Sequence, residues 1–136
     1  MTFALYCLLT DESPIISTVS LIEDLRNHFQ AESCLIYRER LPFATNETVS
    51  LKWESWLVRV SYEEGEMVKA DSLEIYERTK SFNSNDLSTI NRRIRIVFGS
   101  DNDKIYTNQV IYLMDFAKEI KGVLIYDPEQ NDFLNA

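Results

Sequence analysis

The chain has 136 residues, of which 45% are hydrophobic and 12% aromatic, with only three glycines and three prolines. Such a chain suits one domain, 1–136, with a real core; it excludes global disorder and a glycine-rich phosphate cradle. Acids outnumber bases 22 to 14, for a net charge of −8, which disfavours phosphate backbones and anionic membranes and suits steering toward a basic protein, although solubility alone also accounts for mild acidity.

Phe3 to Leu9 is apolar on both faces, as in a central strand. Asp11-Glu12-Ser13-Pro14 breaks it. A helix begins between Ser17 and Ser20, with Ser20 and Glu23 spaced as a capping box and Val19, Ile22, Leu25 and Phe29 as its stripe. Ser33 to Arg40 reads as a second strand around Cys34-Leu35-Ile36-Tyr37, and Leu41 to Thr48 as a loop. Leu51 to Tyr62 alternates as a single long strand, ending in the acidic turn Glu63-Glu64-Gly65-Glu66. Val68 to Phe82 is helical, with Val68, Ser72, Ile75, Thr79 and Phe82 on one face flanked by Leu73 and Tyr76. Asp86 is placed to cap a short helix through Asn91. Ile94, Ile96 and Phe98 form the buried side of a fourth strand. Thr107 is placed to cap a helix with a stripe of Val110, Ile111, Met114, Ala117 and Ile120, and Gly122 to end it. Val123 to Tyr126 is the last strand.

The order β-α-β-β-α-(α)-β-α-β predicts an α+β, or mixed α/β, fold: a roughly five-stranded mixed sheet with about three main helices. The two β-α-β units invite parallel pairing through crossovers, and the second and third strands an antiparallel hairpin.

Little in the chain points to catalysis. The lone histidine, His28, lies six residues from Cys34, but a helix end and the following strand do not bring a Cys-His dyad together. Two cysteines, Cys7 and Cys34, and one histidine supply no recognisable zinc set, and a reduced pair is expected. Asp101-Asn102-Asp103 resembles the opening of a calcium loop but lacks the later glycine and the bidentate glutamate. Glu63, Glu64 and Glu66 read as a charged loop rather than a metal or acid/base cluster. Arg92, Arg93 and Arg95 form a basic group able to hold phosphate or RNA, but the alternation with Ile94 and Ile96 makes a strand's solvent face the simpler reading. No metal, other cofactor or nucleic acid is expected.

The apolar run at the N-terminus has no preceding lysine or arginine, and no run approaches the roughly 20 residues of a membrane helix. The expectation is a cytoplasmic protein without a membrane partner.

Trp53 and Trp56 are three residues apart, which in one regular strand places them on opposite faces. Trp56 then joins Val58 and Val60 in the core, and Trp53 turns to solvent as an interface anchor.

Size, acidity, element order and the closing segment Lys118 to Gln130 (a helix end, Gly122, an apolar strand, then Asp127-Pro128) resemble the small immunity proteins that bacteria encode beside polymorphic or contact-dependent toxins. The resemblance covers about a tenth of the chain and carries no functional residue across. It implies a non-enzymatic inhibitor that occludes the active site of a toxin domain encoded by a neighbouring gene. Predicted exposure selects Trp53, Glu63, Glu64 and Glu66 as contacts, with Asp101 and Asp103 as a second group. The alternatives are a phage-encoded inhibitor or DNA mimic, whose acids should form a continuous stripe; a small α/β enzyme with a scattered acid/base site, which needs a deep pocket; and a subunit of a stable oligomer.

Overall fold

In the computed structural model, which describes residues 3–44 and 46–135, the chain forms seven strands and three helices among those residues. They are β1 (Phe3–Leu8), α1 (Thr18–His28), β2 (Leu35–Glu39), β3 (Thr48–Trp53), β4 (Trp56–Glu64), α2 (Glu66–Thr79), β5 (Arg92–Phe98), α3 (Thr107–Lys118), β6 (Leu124–Asp127) and β7 (Asp132–Phe133). The strands build one sheet in the order β2-β3-β4-β5-β1-β6-β7, and every pairing is antiparallel.

The expected α+β class holds, but the sheet has seven strands rather than about five, and no parallel pair. Part of the difference lies in Leu51 to Tyr62, which is a hairpin and not one strand. The chain reverses at Glu54-Ser55, so that Trp53 pairs directly with Trp56. A two-residue turn carrying neither glycine nor proline gives no compositional signal; only the shift of the buried positions from odd (Leu51, Trp53) to even (Trp56, Val58, Val60) marks it. The parallel expectation fails for a different reason. Alternation of strand direction across the sheet makes β1 and β2 run the same way, and likewise β5 and β6. In neither case do the two strands touch: β3, β4 and β5 separate the first pair, and β1 separates the second.

One sheet face is covered by α1 and α3. Leu5, Cys7, Val49, Leu51, Val58, Val60, Ile94, Ile96, Phe98 and Ile125 meet Leu21, Ile22, Leu25, Phe29, Leu113, Phe116 and Ala117. The opposite face is covered only in part. There α2 and the 80–91 segment pack Ile75, Leu87 and Ile90 on Leu8 and Tyr126. Both α2 and that segment sit inside the β4–β5 hairpin, which closes at Glu64 and Arg92 and through the Gly65 amide donating to the Asn91 carbonyl at 2.9 Å.

The helix boundaries depart from the sequence reading in instructive ways. The capping box of α1 is Ser17 with Ser20, each hydroxyl accepting from the other's amide (3.1 and 2.9 Å), one turn before Ser20 and Glu23; Val19 is exposed. Phe82 lies beyond α2 and is exposed. Asp86 starts no helix: its carboxylate accepts from the Ser88 amide and hydroxyl, forming a local turn instead. In α3, Leu113 and Phe116 are buried while Ile111 is exposed, and Thr107 is the first helical residue rather than the cap. Gly122 follows the end of α3 in the left-handed region (φ +73°), where a Cβ would stand 2.5 Å from the Thr10 hydroxyl, which donates to the Gly122 carbonyl.

Candidate functional site

Trp53 is only 6% exposed, which corrects its assignment to solvent. Because the hairpin pairs it with Trp56, both indoles share the α1/α3 face and lie 5.4 Å apart. Trp53 also packs edge-on against Phe29, and its Nε1 donates to Glu32 Oε1 at 3.3 Å. Trp56 Nε1 donates to the Gly99 carbonyl at 2.8 Å, and its ring stacks on Tyr106.

The carboxylates of the two predicted groups have unlike roles. Glu63 belongs to β4, not to a turn, and pairs with Arg93 Nε at 2.8 Å; Arg93 Nη1 reaches Asp71 at 2.9 Å. The Arg93 side chain is 8% exposed and lies over the Tyr6 ring, so Glu63 compensates a buried cation instead of facing a partner. Glu64 is exposed and accepts from the Tyr62 hydroxyl, whose pKa is pushed up by burial and then by this carboxylate. Glu66 is exposed in the first turn of α2, where a negative charge suits the helix dipole. Asp101 is committed to the backbone, accepting from the amides of Ile105 (2.9 Å) and Tyr106 (2.8 Å) at the approach to α3. Asp103 is exposed in the same turn.

These residues do not make one site. Trp53, Asp101 and Asp103 sit at the Trp56 end of β4, and Glu63, Glu64 and Glu66 at its other end. Eight residue steps separate those ends, about 26 Å at ~3.3 Å per residue.

Glu66 belongs to the outward face of α2, whereas Glu64 shares the α1/α3 face with Tyr62. Opposite its buried Val68, Ser72, Ile75 and Thr79, this helix turns Glu66, Ala70, Glu74 and Glu77 to solvent together with Met67 (76% exposed) and Leu73 (46% exposed). Glu74 and Glu77 also pair along the surface with Arg78 and Lys80. Sequence reading missed this surface because Leu73 was assigned to the apolar flank and Met67 fell before the expected helix start. A residue-by-residue helical projection starting at Glu66 separates the two faces.

A groove of about 650 Å³ between α1 and α3 is the other concavity of note, with Leu21, Ile94, Phe116 and Ile120 among its lining and Asp24, His28, Glu119 and Lys121 as polar groups. His28 is held there by its Nε2, 3.1 Å from the Tyr112 carbonyl, and by edge contacts with Phe29 and Phe116. Ser20, the hydroxyl in the lining, is occupied by the α1 capping box. The free thiols are poorly suited to nucleophilic work: burial pushes Cys7 up to about 12, and burial followed by Glu32 raises Cys34. Among the described residues, no three His, Cys, Asp or Glu side chains cluster so as to hold a metal ion, and no helix is long and apolar enough to cross a membrane. No family model, no curated protein and no solved structure matches the chain.

Proposed function

We propose that this protein works by stoichiometric binding to another protein through the outward face of α2, and that the partner presents a basic surface. The reading rests on one observation: Met67 and Leu73 are exposed on a helix otherwise anchored to the sheet, on either side of an acidic strip made by Glu66, Glu74 and Glu77. In an interface, exposed apolar side chains hold the complex and neighbouring charges accelerate encounter. Neutralisation of a toxin domain encoded by the neighbouring gene, as immunity proteins perform it, is the function that fits such a surface and the net charge of −8. Glu66 remains a contact in this reading, whereas Trp53, Glu63 and Asp101 serve the fold.

Co-expression with that toxin domain tests the proposal. The wild-type chain should rescue growth and bind the domain one to one. The double variant Glu66→Lys, Glu77→Lys should slow association about tenfold or more at low salt. Failure of the wild-type chain to bind or neutralise the domain would refute the function; unchanged association by the double variant would refute the surface.

A further inference from the structure

The sheet face that carries α2 is left open beyond the Arg93 end, and it bears a second polar feature. Arg59 of β4 and Arg95 of β5 both point to this face, since their neighbours Val58, Val60, Ile94 and Ile96 fill the opposite core. Register places Arg59 opposite Val97, and Ser61 opposite Arg95. The two arginines are therefore diagonal neighbours, with Cβ atoms about 7 Å apart, close enough for long side chains to converge. Small residues flank them on one side, Ser50 opposite Arg59 and Ser61 opposite Arg95, with Ala4 opposite Val97, while Tyr6 stands opposite Arg95 on β1.

Arg95 is half-buried, and its Nε is fully buried without a hydrogen-bond partner. Among the described residues its side chain forms no ion pair, in a chain with 22 acids. Arg93, two residues earlier on the same face, engages two carboxylates. Glu39 accepts from the Ser50 hydroxyl and pairs with Arg59 at 3.4 Å, and Glu63, diagonal to Arg95, is held by Arg93. A guanidinium fork whose Nε is desolvated and unpaired lacks an acceptor in the position where a bidentate oxyanion would supply one.

We propose that Arg95 and Arg59 form a binding site for one small oxyanion, a phosphate or carboxylate group carried by a small ligand. Arg95 supplies the fork, Arg59, which also pairs with Glu39, the second charge, and Ser50 and Ser61 the room. The surplus of acids elsewhere argues against a polyanion such as nucleic acid, because few further phosphates would meet a cation. The site is separate from the outward face of α2 and does not depend on the partner proposed there.

The test follows the arginine Nε–H resonances of the isotope-labelled full chain during titration with inorganic phosphate and, separately, acetate, at constant ionic strength. Phosphate or acetate should shift the Arg95 Nε–H saturably, and the stronger of the two identifies the ligand's anionic group. Arg95→Met should weaken binding, read at the Ser61 and Val97 amides, by about tenfold or more. Arg59→Gln, a more exposed change that keeps Arg95 as reporter, should weaken it severalfold, and Lys69→Gln on α2 should leave it unchanged. No saturable shift with either anion at tens of millimolar, or equal binding by wild type and both arginine variants, would overturn the site.

Discussion

Replacing Trp56 with alanine lowers the free energy of unfolding by about 3–5 kcal/mol, the range for truncating a buried tryptophan. The indole is buried between Trp53, Phe98 and Tyr106, with Tyr106 stacked at 4.9 Å and nearly parallel. Its removal also takes a donor from the Gly99 carbonyl. Against a total of about 5–15 kcal/mol for a typical domain, the variant keeps little margin. Trp56→Phe retains most of the apolar area and loses the hydrogen bond, so it costs about 1–2 kcal/mol. Urea unfolding followed by circular dichroism reads both, and a loss under 1 kcal/mol for the alanine variant would mean that this corner is not packed as described.

The second large effect belongs to Arg93. Arg93→Ala strands Glu63 and Asp71 without their shared cation and removes the side chain that covers Tyr6. Removing one partner of a buried ion pair costs about 3–5 kcal/mol when both charges are dry. Here Glu63 and Asp71 are 22% and 44% exposed, so solvent recovers part of that, and about 2–3 kcal/mol is expected. Arg93→Met keeps the apolar stem over Tyr6 and loses less. Glu63→Gln leaves Asp71 to pair with the arginine and costs under ~1 kcal/mol. Equal losses for Arg93→Ala and Glu63→Gln would show that the pair with Glu63, rather than the three-charge cluster and its packing, carries the effect.

The fold was legible where periodicity decides it. Strand β5 alternates cleanly, and Val68, Ser72, Ile75 and Thr79 of α2 are buried as their spacing predicts. It was not read at Glu54-Ser55, a turn without a turn residue marked only by a phase shift in the apolar positions, and the face assigned to Trp53 went wrong with it. Strand order was also out of reach, since β1 entering between β5 and β6 is a long-range choice that no local pattern encodes. For the candidate site, composition announced surplus carboxylates but not their employment. Glu63, Asp101 and Glu66 look alike in the sequence; one balances a buried arginine, one holds backbone amides, and only the third is exposed without such a task. In the sequence Arg93 and Arg95 read as a strand's solvent face, but Arg93 is buried under α2 and Arg95 half-buried, its unpaired Nε depending on which neighbours the sheet supplies.

The proposed surface of action is the outward face of α2. Hydrogen exchange of the full chain, free and mixed with the proposed toxin-domain partner, examines that face directly. Slowed exchange concentrated in residues 66–78 is the expected footprint. Binding that leaves those amides unchanged and instead protects the walls of the α1–α3 groove would contradict it.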